Sequence, residues 1–155
     1  MSRQWHLILV SVFCMAVTVP IPGTIQASGD NMQLKQIKDE LVMARSGKTV
    51  DIRTNAAEKL ANLLRKVDPK EIDDQVMNDL ITLLDTPDDS VRGWVAAAIG
   101  FLGPRAKSAV PSLLKVLPDA DCVQGDLTSA GAIRLALKRL GVKPPPPSRC
   151  GSTKK

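Results

Sequence analysis

Chemistry in this chain would have to come from carboxylates and cysteines. Its single histidine, His6, lies in an N-terminal segment that reads as removable. Ser-His and Cys-His nucleophile pairs and histidine-bearing zinc sites are therefore excluded from the rest. Asp73-Asp74 and Asp88-Asp89 have the residue types of an acid/base pair. Their placement before apolar helical runs reads instead as turns and helix caps. Asp119-x-Asp121 followed by Gly125-Asp126 has the outline of a calcium loop. Position five is Val123, the glycine comes one place late, and no carboxylate stands at position twelve. Cys122 and Cys150 are too far apart for a CxxC redox motif. The expectation is a protein with no catalytic residues, no bound metal and no cofactor.

Residues 1–27 read as a secretory signal peptide. Arg3 and His6 precede an apolar run of 13 residues, Leu7 to Val19. Pro20, Pro22 and Gly23 follow, then the small residues Ala27, Ser28 and Gly29. The run is short of the ~20 residues a spanning helix needs; a retained anchor is the alternative. Cleavage after Ala27 or after Gly29 would both work. Cys14 follows Phe13, where a lipoprotein signal would carry a small residue. The protein is thus expected to be exported, periplasmic or secreted, with no transmembrane span in the mature chain.

In an oxidising compartment the remaining cysteines, Cys122 and Cys150, invite a disulfide. It would tie the tail to the last inter-helix loop and, by loop entropy, contribute roughly 3 kcal/mol; two free surface thiols are the other reading. Net charge is +5 for the whole chain. Residues 28–90 hold 9 basic and 13 acidic side chains, whereas residues 91–155 hold 11 and 3. The basic half would suit an anionic surface or an acidic partner, or simply keep the protein soluble. Export and the near absence of stacking aromatics argue against nucleic acid.

The elements follow from apolar spacing. Helices are expected over Asn31–Ala44 (Leu34, Ile37, Leu41, Val42) and Ile52–Leu64 (Ile52, Ala56, Leu60, Leu63). Three more are expected over Gln75–Leu84, Val91–Leu102, and from near Pro111 to Leu117. A sixth runs from Ser129 to Leu140, before an extended tail, residues 142–155, rich in proline and basic groups. Glycines 103 and 141 stop the fourth and sixth. Shifting the first pair of helices by 39 positions lays Leu41 on Leu80, Arg53 on Arg92, Ala56 on Val95 and Leu60 on Ile99. A shift of 38 then lays Val95 on Ile133, Ile99 on Leu137 and Gly103 on Gly141. Three copies of one helix-turn-helix unit result, over roughly 34–64, 75–102 and 110–141.

The middle copy carries a nameable pattern. The turn Pro87-Asp88-Asp89, the Val91-Arg92 pair, the alanine-rich second helix, the Leu102-Gly103 stop and Ala109-Val110-Pro111-x-Leu113-Leu114 resemble a HEAT repeat of the short bacterial HEAT-like type. The first and third copies match in core spacing but not in the turn. The resemblance spans about 31–141 and implies an all-α fold, a short right-handed α-solenoid of about three helical hairpins. It also implies that Arg92, and Arg53 by equivalence, brace the inter-repeat turn through nearby aspartates, for Arg92 Asp85, Asp88 or Asp89; contact with a ligand is the other reading. Such families mostly bind other proteins, and fold alone does not name the ligand.

The same resemblance puts the second helix of each unit on the concave side. On a helical wheel, Gly93, Ala96, Ala97 and Gly100 fall opposite the Val91/Val95/Ile99/Leu102 stripe, with Trp94 and Phe101 together on a flank. These residues, Gly93, Trp94, Ala97, Gly100 and Phe101, make a candidate partner surface, a shallow apolar floor with an aromatic edge. The aromatic pair has the opposite reading too, as packing between adjacent units. Arg134, Lys138 and Arg139 on the last helix are a candidate basic rim, or a polar cap that ends the stack. The functional expectation is a non-catalytic exported module that binds another, unidentified protein. The alternative is an anionic envelope ligand, a polymer or lipid headgroup, held by the basic half. Self-association through open end units stays open.

Overall fold

The computed structural model describes residues 26–125, 128–148 and 150, and these are helical with no strand among them. Six α-helices follow one another: α1 (Gln26–Ser46), α2 (Val50–Leu64), α3 (Asp74–Leu83), α4 (Asp89–Phe101), α5 (Val110–Asp121) and α6 (Ser129–Arg139). Tighter 3₁₀ turns lie at Pro69–Glu71 and Gly103–Ala109. Among the described residues no helix is long and apolar enough to cross a membrane. The signal-peptide reading of residues 1–27 falls almost wholly outside the described residues.

Local chemistry sets the helix ends. Thr49 caps α2 by accepting from the Ile52 amide (3.3 Å), and Asp73 caps α3 by accepting from Val76 (2.7 Å). Gly103 and Gly141 both take positive φ, +53° and +80°. At the second, Gly141 N donates to Lys138 O (3.0 Å) and Val142 N to Leu137 O (2.9 Å), a Schellman stop that folds Val142 back onto the core.

The α4 helix lies between α2 and α6. The three run parallel, since their first turns touch through Arg53–Asp88 and Asp89–Ser129, while Arg65, Phe101 and Arg139 meet at their last. α1 packs on α2 and α5 on α6, with α3 against α4 and α1. Leu60, Ile99 and Leu137, which superpose under the 39- and 38-residue shifts, are all fully buried between the helices. Ion pairs also join the backing helices: Lys38–Asp73 (2.9 Å), Arg45–Asp79 (2.7 Å) and, from α5, Lys115–Asp85 (2.9 Å).

Three expectations need correction. Helix α5 does not stop at Leu117 but runs through Pro118 to Asp121. A proline there forfeits only the bond to the Leu114 carbonyl, in a last turn that has few bonds to lose. Val42 and Ile52 are not core but exposed (62% and 39%), and Leu63 is half-buried. The core face of α2 is Ala56, Ala57, Leu60, Ala61 and Leu64. Val91, the equivalent of Ile52, is wholly buried because α2 precedes it; among the described residues the first hairpin has no such neighbour.

The third correction concerns the small residues of α4. Gly100 is buried, and a Cβ on it would stand 3.1 Å from Ala136 Cα and 3.3 Å from Ala136 Cβ. Ala96 is buried as well. The stripe opposite Val95 and Ile99 is thus covered at Ala96 and Gly100, where its small side chains permit close approach of α6, and stays partly open at Gly93 and Ala97. At Gly93 the nearest atoms to an added Cβ are Ser129 Cα and Cβ, at 3.5 and 3.6 Å, ordinary contact distances. Replacing glycine by alanine inside a helix gains up to about 1 kcal/mol of propensity. We therefore expect Gly93→Ala to stabilise by about 0.5–1 kcal/mol. Gly100→Ala should gain nothing or lose, because helix backbone stands in the way. Paired urea titrations would show the difference; equal gains at both sites would contradict the close approach.

Candidate interaction surface

The turn between α3 and α4 is held by arginines. Arg92 donates to the carbonyls of Thr86 (2.7 Å) and Leu84 (3.3 Å), with a longer contact to Asp89 (3.4 Å). Arg53 donates to the carbonyl of Gly47 (2.7 Å), and Gly47 is the residue that superposes on Thr86. Both arginines thus donate to the carbonyl six residues back, with backbone oxygens as their main acceptors. Two of the three expected aspartate partners are engaged elsewhere. Asp88 accepts from Arg53 at 2.6 Å, which leaves no side-chain bond from it to its own helix start, and Asp85 pairs with Lys115. Asp89 reaches forward to the third copy and accepts from the Ser129 amide (2.8 Å) and hydroxyl (2.5 Å). It performs for α6 the capping that Thr128 does not. Each aspartate of the turn therefore ties two units together.

Above this turn the exposed side of α4 opens into a groove of about 360 Å³. Gly93, Trp94, Ala97 and Ala132 give it apolar walls, and Thr54, Asp89, Ser90, Thr128 and Ser129 complete its lining. Trp94 is 37% exposed, so part of its ring faces solvent. Trp94, Gly93 and Ala97 are thus brought together. Gly100 is not among them, being closed off by Ala136. Phe101, two turns along, is half-buried with guanidinium groups near its ring: Arg139 at 4.8 Å from the centroid and Arg65 at 6.0 Å. Nothing in the repeat pattern signalled Arg65, which caps the end of α2.

The proposed basic rim is broken up. Arg134 is not free: it donates both terminal nitrogens to Asp121 (2.5 and 2.9 Å), and the pair is largely shielded from solvent. Lys138 is exposed, and Arg139 lies against Phe101. Asp121 also accepts from the Ser148 amide (2.8 Å), which anchors the tail. The Arg134 hydrogen bonds outweigh the cost of burial and hold its carboxyl at a pKa of about 2, below the ordinary 3.8. Beside it Cys122 and Cys150 are joined by a disulfide, with Cα atoms 5.2 Å apart. Of the apparent calcium loop, Asp126 lies outside the described residues. Among those described, no three of His, Cys, Asp and Glu gather as a metal site would need.

No family model, curated protein or solved structure matches the chain.

Proposed function

We propose that the chain is a HEAT-like protein-interaction module, a right-handed stack of three helical hairpins exported to the periplasm or cell exterior. The equivalent reach of Arg53 and Arg92 to carbonyls six residues back supports the repeat reading. So does the parallel row α2, α4, α6. The Cys122–Cys150 bond fits an oxidising compartment, and with it the removal of residues 1–27. The module is non-catalytic: it presents a surface and holds a partner on it.

One observation carries the binding assignment. Trp94 stands half-open over an apolar groove, although the repeat does not call for an aromatic there, with Asn55 and Ala132 at the equivalent places. A rigid indole beside small side chains is the kind of anchor that dominates interface energies, where truncation costs about 2 kcal/mol or more. A photoreactive residue at Ala97 should form a discrete adduct in cells, while one at Asn78 on α3 should not. Trp94→Ala should abolish the adduct and, with the captured partner purified, weaken binding about thirtyfold. Equal labelling from both positions, or an adduct indifferent to Trp94→Ala, rejects the assignment. The anionic-ligand alternative draws less support, since Arg134 is neutralised by Asp121.

A further inference from the structure

Seven arginines have described surroundings, and five of them, Arg45, Arg53, Arg92, Arg105 and Arg134, pair with an aspartate. Arg65 and Arg139 make no ion pair among the described residues, and these two share one ring. Both are exposed, and they come from different units: Arg65 from the end of α2, Arg139 from the end of α6. Their guanidinium carbons each lie near the Phe101 ring and so no more than about 11 Å apart. Two like charges so placed repel, and cation–π attraction of about 0.5–1 kcal/mol at an exposed site recovers part of that. The C-terminal dipoles of three parallel helices offset more. Neither supplies the in-plane acceptor oxygens that a guanidinium fork takes. A carboxylate brought against either of them would, and the other charge would add to its attraction.

We propose that Arg65 and Arg139 form the acid-binding end of the interaction surface, and that the partner is an extended peptide segment carrying an aspartate or glutamate. The proposal rests on the Trp94 groove as the anchor site and specifies what the anchored segment must contain. Trp94 and Phe101 are seven residues apart on one side of α4, about 10 Å along its axis. An extended chain covers that in about three residues at 3.3 Å each. The partner should thus present an apolar side chain to the groove and an acidic one about three residues away, over Phe101. Asn62, which superposes on Phe101 in the first copy, offers a further amide at the same level. Glu58, which superposes on Ala97, disfavours an acidic residue midway between the two anchor points.

The test is selection of random twelve-residue displayed peptides on the protein as exported, followed by fluorescence titration of the synthesised winners. Winners should pair an apolar residue with Asp or Glu three or four places away. Arg65→Gln with Arg139→Gln should weaken them roughly tenfold, as should glutamine in place of the peptide's acid, and the two changes together should cost little more than either. Lys107→Gln, another exposed cation, should change nothing. Circular-dichroism melts of the double variant exclude a folding defect. Winners that need Trp94 but lack acidic residues, or ignore the arginine changes, overturn the acid-binding end and leave the groove standing. Winners indifferent to Trp94→Ala overturn the groove itself. Binding of phosphatidylglycerol vesicles or inorganic phosphate that is lost in the double variant, with no acidic peptide selected, transfers the site to a non-peptide anion and overturns the peptide assignment.

Discussion

Ile99→Ala is expected to cost about 3–4 kcal/mol, from a net stability that for such domains is about 5–15 kcal/mol. Ile99 is wholly buried at the middle of α4, the helix flanked by both neighbours of its row. Three carbons would be removed where α2 and α6 cannot both close in, because Gly100 already brings α4 and α6 into van der Waals contact nearby. The transfer and cavity contributions therefore add with little relaxation. Leu63→Ala makes the comparison. Leu63 is half-buried at the end of α2, and its truncation should cost about 1 kcal/mol. Urea unfolding followed at 222 nm measures both. Because the buried residues form one contiguous cluster, the central loss should shift the whole transition rather than split it. A cost below about 1 kcal/mol for Ile99→Ala, or a transition that splits with one part unmoved, would contradict the packing.

The six helices and their alignment were readable because apolar spacing reports which residues a helix buries, and Leu60, Ile99 and Leu137 are buried at the expected positions. Periodicity says less about what lies on the other side. The wheel set Gly93, Ala97 and Gly100 on one face of α4, and a face of small residues looks like an open floor from sequence. It is equally the face that lets another helix approach, and Ala136 fills it at Gly100. Only the part beside Trp94 stays open. Ion-pair partners were still harder to read. Asp85, Asp88 and Asp89 lie within five residues of one another, so Arg92 had three plausible mates. The choice among them depends on Arg53, Lys115 and Ser129, each at least thirty residues away in sequence. The exposure of Ile52 has the same origin, since a repeat pattern assumes a neighbour on both sides and among the described residues the first hairpin has one.

The tail clasp yields an acid-dependent prediction whose sign follows from Asp121. Its carboxyl titrates at about 2 in the folded chain, against 3.8 as its ordinary value, because Arg134 and the Ser148 amide hold the charged form. In the unfolded chain those partners are gone, so unfolding at low pH is accompanied by proton uptake. The stabilisation is then fully present above about pH 5 and is lost as pH falls through 4 toward 2. The difference corresponds to about 2 kcal/mol, in a group whose side chain is only 5% exposed. Asp121→Asn should therefore lower stability at pH 7 by about 2 kcal/mol, because Arg134 keeps its charge in a shielded place and loses its counter-ion. The variant should also lose much of the wild-type decline between pH 5 and pH 2. A residual slope belongs to Asp73 and Asp79, whose carboxyls are likewise held low, by Lys38 and Arg45 respectively. Urea titrations at pH 7, 4 and 2, with the disulfide intact in both proteins, separate the contributions. If the wild type and Asp121→Asn fell in parallel over that range, the carboxylate would not be the group that binds the tail to α6, and the clasp would have to be assigned to the disulfide alone.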